Sequence, residues 1–157
     1  MILRTAEKIG LSLEVDDKLL NELVIIGKEH YPNEFGGFLV GNYRDDNRHL
    51  HITNMILPKS FMASKYSFER STKGIKNELD KYYNETPKKF YVGEWHTHPD
   101  NRAIPSLTDI SAINTIIQNH SACLVNPVLL IIGFPRTQVD LGFYVWFENK
   151  LYKYEQS

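Results

Sequence analysis

The stretch "GEWHTHPDNRAIPSLTD", residues 93 to 109, carries two histidines two residues apart, a proline, a loop and then Ser-x-x-Asp. Imidazole nitrogens and carboxylate oxygens bind metal ions, and three such side chains fall within this one stretch. On a strand, residues i and i+2 point to the same face. His96 and His98 can therefore reach one ion from one strand end. Pro99 ends that strand, a loop returns, and Asp109 sits in the first turn of the next helix, where its carboxylate can swing toward the strand end. Two histidines and one aspartate leave a fourth position open to water, the pattern of catalytic rather than structural zinc. An ion so held lowers the pKa of its water to roughly 7.

Such chemistry also needs a proton shuttle that is not itself a ligand. Glu94 shares the face of His96 but sits deeper in the strand, and reads as an ion-pair or supporting residue. Glu34, which opens the Gly-rich segment "EFGGFLVG", is the better candidate. The Ser106 hydroxyl, at the junction of loop and helix, is a candidate donor to a developing oxyanion. Plainer roles exist for each. Ser106-x-x-Asp109 fits a capping box, His98 a strand end, and Glu34 a solvated turn. The joint spacing, with a strand before and a helix after, favours a metal.

The elements that must position these residues follow from periodicity. "LSLEV" (11–15) alternates as a half-buried strand. "KLLNELVIIGKEHY" has helical spacing after Asp16 and Asp17, with Leu19, Leu20, Leu23, Val24 and Ile26 facing the core, and ends at Pro32 and Asn33. "EFGGFLVGNY" and "HLHITNMIL" form a hairpin around a polar turn. Residues 58–70 read as irregular. "TKGIKNELDKYYNE" is an amphipathic helix containing Gly74, and "KKFYVGEWHTH" is an interior strand. "SLTDISAINTIIQN" is a helix with Ser106 as N-cap. "PVLLIIGF" is a strand buried on both faces. "QVDLGFYVWFE" and "KLYKYE" form a closing hairpin around Glu148, Asn149 and Lys150. The order β-α-β-β-α-β-α-β-β-β predicts a mixed α/β fold, a sheet flanked by helices.

Composition excludes several classes. With 157 residues the chain is expected to form one domain, 1–157. Hydrophobic residues make up 42% and charged residues 24%, with a net charge of -1, so no basic field points to nucleic acid. The apolar runs are too short to span a bilayer, and the N-terminus has no apolar core of a signal peptide. The single cysteine, Cys123, rules out an internal disulfide and fits a reducing, cytoplasmic setting. Cys123 itself reads as a buried, inert thiol. His49 and His51 repeat the His-x-His spacing without a following Ser or Asp and read as exposed or capping residues. His30 and His120 lie at helix C-terminal ends, where a cation is favoured. Lys73, Lys76, Lys81, Lys88 and Lys89 read as solvated.

Glu34, "HTHP" at 96–99, six residues "DNRAIP" and "SLTD" at 106–109 together resemble the JAMM signature of JAB/MPN metalloproteases. "EFGGFLVG" is similar to that family's Glu-x-x-Gly-x-Leu-x-Gly strand, with Gly37, Leu39 and Gly41 in register. The resemblance runs from about Leu11 to Glu148. It implies a single three-layer JAB/MPN-like domain with a curved mixed sheet. It implies one zinc ion on His96, His98 and Asp109, Glu34 as general acid/base, and Ser106 aiding the tetrahedral intermediate. The implied activity is hydrolysis of the peptide or isopeptide bond after the C-terminal residue of a ubiquitin-like protein, or of a protein conjugated by such a pathway. "VGEWHTHP" further resembles the deconjugating peptidases encoded beside activating-enzyme and conjugating-enzyme proteins, some in anti-phage operons with a cyclic-nucleotide synthase. Two alternatives stay open: a module that recruits a ubiquitin-like partner, and a hydrolase acting on a sulfur-carrier protein or small amide. Tyr66, Phe68 and Trp95 are candidate groove residues, with residues 54–68 and 100–105 as walls; a core role is the alternative for Trp95.

Overall fold

Alternation and apolar content place the strands where the sequence predicts most of them, and the computed structural model describes residues 1–5, 8–119 and 126–156. The elements are β1 (Ile2–Thr5), β2 (Ser12–Val15), α1 (Asp17–Glu29), β3 (Gly36–Arg44), β4 (His49–Ile56), β5 (Phe61–Ala63), β6 (Phe68–Arg70), α2 (Ile75–Tyr83), β7 (Phe90–Pro99), α3 (Leu107–Asn119), β8 (Val128–Phe134), β9 (Asp140–Phe147) and β10 (Lys150–Gln156). His120 and Cys123 lie outside the described residues.

The main sheet is mixed, in the order β1-β10-β9-β8-β7-β3-β4-β2. β7 and β8 run parallel, as do β2 and β4. The expected curvature is carried to closure, because β1 pairs antiparallel with both β10 and β2. Periodicity predicts no strand at residues 2–5, where the structure has β1. A four-residue segment carries too little alternation to be read, and its pairing is entirely nonlocal.

Helices cover both faces of the sheet. Leu19, Leu20 and Leu23 of α1 join a core with Leu39, Val92, Trp95, Val128, Leu130 and Ile132. The alternate strand residues pack the other way: Leu129 and Ile131 with Ile113 of α3, and Phe38 and Val40 with Ile75 of α2. Val128 to Ile132 is buried throughout, as a strand covered on both faces requires. Gly74 is not inside α2. It is the N-cap, with φ +80°, a conformation that suits glycine.

Residues 58–70 are not irregular. β5 and β6 form a separate two-stranded sheet. Its sequence, rich in Ser and Lys, lacks the alternation that announces a strand. Long-range contacts hold it instead: Phe68 packs edge-on to Phe35 at 5.5 Å, and Phe61 to Phe35 at 5.0 Å.

β3 and β7 are antiparallel, with Gly36 opposite His96 and Phe38 opposite Glu94. Any side chain at Gly36 would run into Trp95 O and lie 2.9 Å from His96 Cα. Glycine is therefore what lets the two strands meet at the histidines. Gly36→Ala is expected to destabilise the fold by about 3 kcal/mol or more through overpacking against backbone, read as a lowered midpoint in denaturant unfolding.

Candidate functional site

His96 and His98 project from one face of β7, and Thr97 between them from the other, as strand geometry dictates. Thr97 is fully buried beside α1, where its methyl group would lie 2.7 Å from a Cβ added at Gly27. Ser106 and Asp109 start α3 as a reciprocal capping box. Asp109 N–H donates to Ser106 Oγ at 3.1 Å, and Ser106 N–H donates to Asp109 Oδ2 at 2.8 Å. The cap fixes the carboxylate, and the carboxylate meets the histidines. His96 Nε2 lies 3.1 Å from Asp109 Oδ1, and His98 Nε2 lies 3.1 Å from Oδ2. The two Nε2 atoms are themselves 3.1 Å apart. The capping role and the convergence on the histidines are thus properties of one conformation.

His96, His98 and Asp109 are the group of potential metal ligands found among the described residues, each half-buried. Their geometry fits a metal. Ligands at zinc-like distances in a tetrahedron stand about 3.3 Å from one another, close to the spacings here. His98 Nδ1 donates to Arg102 O at 3.1 Å, which fixes the proton there and leaves the Nε2 lone pair facing its neighbours. Lone pairs turned on one another in this way require a cation or a proton between them. Burial alone would raise the Asp109 pKa; hydrogen bonds from both histidines, the charge of His96 and the Ser106 N–H hold it well below the usual carboxylate range. For His98, burial acts downward, but the bonds to Asp109 and Arg102 O and the nearby negative charges outweigh it and raise the pKa.

Glu34 stands just ahead of β3, half-buried and outside the ligand group. Burial raises its pKa, opposed by His96 and His98. The chain on either side of it is tied down. Its own N–H donates to Ser64 O at 2.8 Å, and the next residue is clamped to β7. Phe35 N–H donates to Thr97 Oγ1 at 3.0 Å, and Thr97 N–H donates to Phe35 O at 2.8 Å.

The site opens into a groove of about 1060 Å³, with Glu34, Glu94, His96 and Ile113 on its floor and sides. One wall is residues 65–70 and the other is the 101–106 loop with the start of α3. Tyr66, 80% exposed, and Phe68 line it as expected. Trp95 also borders it, but its side chain belongs to the core, 1% exposed and edge-on to Phe35. A smaller cavity of about 400 Å³, bordered by Lys28, Phe134 and Gln138, touches no candidate ligand.

Glu94 is the expected ion-pair residue: Arg70 reaches it with Nε and Nη2 at 2.6 and 2.8 Å. Sequence reasoning missed Arg70, Thr97 and a third device. Tyr31 O–H donates to Asp100 at 2.6 Å while Lys65 lies 3.5 Å from the same carboxylate, joining α1, the hairpin and the loop after the histidines. Alternation alone would have placed Thr97 on the buried face; its partner across strands carries no local signal. His49 and His51 share one face of β4 and meet carboxylates rather than each other's ligands. His49 also bonds Ser12 at 2.6 Å, and His51 bonds Asp16 at 2.9 Å. His30 caps α1 at its C-terminal end. Among the lysines, Lys89 pairs with Glu85 at 3.2 Å and Lys88 lies over the Tyr83 ring.

The chain matches the family described as prokaryotic homologs of the JAB domain over residues 16–141. It is 31% identical over 102 residues to a CD-NTase/cGAS isopeptidase of Enterobacter hormaechei subsp. hoffmannii (strain UCI 50), covering 64% of this chain and 56% of that protein. It is 32% identical over 102 residues to the probable metalloprotease y4qB of Sinorhizobium fredii (strain NBRC 101917 / NGR234), covering 63% and 62%. The matched stretches thus span little more than half the length of these relatives. The fold resembles the solution structure of protein DSY2949 from Desulfitobacterium hafniense, with a TM-score of 0.60 at 17% identity over 90% of this chain and 88% of that one. No helix among the described residues is long and apolar enough to cross a membrane.

Thr97→Val keeps the methyl contact with α1 but leaves the buried Phe35 N–H without its acceptor. It is expected to cost about 1–3 kcal/mol, measured by denaturant unfolding, with a smaller loss if water replaces the hydroxyl.

Proposed function

We propose, since the chain belongs to the family of prokaryotic homologues of the JAB domain, that it is a zinc-dependent isopeptidase. Its substrate would be the bond after the C-terminal residue of a ubiquitin-like protein, or of a protein joined to its target by a ubiquitin-like pathway. The observation that carries this reading is a half-buried His-His-Asp cluster, a separate glutamate held near it, and an open groove leading to both. Two imidazole nitrogens and one carboxylate oxygen form a zinc donor set with room for a fourth ligand. We assign one ion to His96, His98 and Asp109. Bound there, it supplies Lewis-acid activation of water and of the scissile carbonyl.

The chain's own groups do the rest. Glu34 accepts the proton of the attacking water and returns it to the leaving amine, so that it ends ionised with no net proton gained. Its burial raises its pKa and so makes it a better base than a solvated glutamate. Ser106 Oγ accepts the Asp109 N–H through a lone pair. Its hydroxyl hydrogen stays available to donate to the oxygen of the tetrahedral carbon.

An extended tail suits the groove. Ser64 N–H bonds Ser67 O, and Ser71 N–H bonds Ser60 O. In an antiparallel hairpin the pairing alternates, so the Phe68 and Arg70 backbone groups turn to the outer edge of β6. Among the described residues only β5 pairs with β6. A tail adding antiparallel to that edge would run from Arg70 toward the Glu34 end and deliver its last carbonyl to the cluster.

The relatives named CD-NTase/cGAS isopeptidase support a setting in which a nucleotide synthase is the conjugated protein, and we place this chain in such an anti-phage pathway in the cytoplasm. In this reading the synthase is joined through its C-terminus by activating-enzyme and conjugating-enzyme partners.

The test is cleavage of a reporter fused to the C-terminus of such a synthase or ubiquitin-like partner. Glu34→Gln should keep zinc and lose at least ~100-fold in turnover, while His96→Ala and Asp109→Ala lose zinc as well, read by metal analysis. Glu34 must be ionised to act as a base; in the metal-free chain its carboxyl should titrate above 4.5, the ordinary glutamate value, read by NMR. Zinc binding without cleavage of any C-terminal fusion would overturn the assignment.

A further inference from the structure

Besides Phe61 and Phe68 packed on Phe35, polar ties fasten the hairpin wall of the groove at three places. Near the cluster, Ser64 O takes the Glu34 N–H. At the turn, Lys65 lies against Asp100. At the far end, Arg70 grips Glu94 with two parallel bonds, and Tyr91 O–H donates to the same carboxylate at 2.7 Å. This last tie differs from the solvated Lys and Arg pairs of the surface. Its side chains are 23% and 15% exposed, and burying such a pair is costly unless every hydrogen bond is made. A two-pronged guanidinium–carboxylate contact fixes orientation as well as energy. Arg70, Glu94 and Tyr91 all line the groove.

Their position relative to the cluster follows from strand geometry. Glu94 precedes His96 by two residues on the same face of β7, about 7 Å along the strand. Arg70 follows Phe68 by two residues on β6, and Phe68 packs on Phe35 beside Glu34. A tail lying antiparallel along β6 therefore has one residue beside Phe68, at the cluster. Two residues upstream, another faces Arg70, with its side chain on the Arg70 side of the hairpin. A guanidinium offers five N–H donors and no acceptor, and two of those donors are held by Glu94. The facing side chain must accept hydrogen bonds, and a basic one, which carries only donors, leaves the guanidinium donors unpaired. Because Glu94 offsets the charge of Arg70, amide and carboxylate side chains both qualify.

We infer that Arg70, oriented by Glu94 and Tyr91, is a specificity-determining residue: two residues upstream of the scissile residue it selects a hydrogen-bond-accepting side chain and rejects a basic one. The inference rests on the tail reading proposed above. The probe is a set of fluorescent six-residue peptides ending in glycine with a free carboxylate. They differ only at the third residue from the end, which is Gln, Glu, Ala or Lys. Binding to the zinc-loaded chain is followed by fluorescence anisotropy, so no turnover is needed. Gln and Glu peptides should bind about tenfold tighter than Ala, and Lys weakest. Arg70→Gln should level the series, and Glu94→Gln should narrow it, both with zinc content unchanged. Should Arg70→Gln not fold, Arg70→Lys, which keeps the charge but not the two-pronged contact, should narrow it likewise. Equal binding of all four peptides to the unaltered chain, or a preference that survives loss of Arg70, would overturn the inference alone. Failure of every peptide to bind would bring down the tail reading with it.

Discussion

The Asp109 carboxylate is the constraint on which the site depends. One oxygen faces His96. The other meets His98 and accepts the Ser106 N–H, while the Asp109 N–H returns to Ser106 Oγ. A capping box is worth about 1 kcal/mol to a helix end. Here it also holds the third potential ligand in one orientation. Without it, a carboxylate in the first turn of a surface helix would sample solvent. With it, the helix start and the strand end become one rigid unit, and the groups that could hold a metal are preorganised rather than gathered by it.

Glu34 is brought to that unit by backbone rather than by side-chain attraction. Gly36 allows β3 to lie against His96, and Thr97 exchanges two hydrogen bonds with Phe35. The histidines and Thr97 alternate along one strand, so a single stretch of β7 serves both the cluster and the clamp. The same alternation divides the packing. Trp95 and Thr97 face α1, and Glu94, His96 and His98 face the groove. The core is what makes the site stiff, since Val92, Trp95 and Thr97 pack the other face of β7 fully and leave its backbone little freedom to shift.

The β5–β6 hairpin is the least core-dependent of the elements. It contributes Phe68 to the main cluster and sets Phe61 edge-on to Phe35, and its other ties are polar: Ser64 to Glu34, Lys65 to Asp100, Arg70 to Glu94. Each tie ends on a residue at or next to the site. The wall of the groove is thus set by the elements that carry the chemistry, and its free edge has a fixed register relative to them.

By itself the sequence determined the local parts. His-x-His followed by Pro placed two imidazoles on one face of a strand end, and Ser-x-x-Asp started a capped helix; both follow from periods of two and 3.6 within a few residues. Glu34 was legible as a partner through the Glu-x-x-Gly segment and its likeness to a known signature, though residues in between hold no physical record of the distance. The mixed α/β class and most strands and helices were legible for the same local reasons. Only the tertiary structure decided the closure through β1, the β5–β6 hairpin, the Thr97 clamp and the Arg70–Glu94–Tyr91 contact. Each of these joins residues far apart in the chain, whose individual types are ordinary: a threonine in a strand, an arginine in a serine-rich segment. Their meaning lies in the partner, and pairing between distant segments is set by packing of the whole core, which no short window of residues contains.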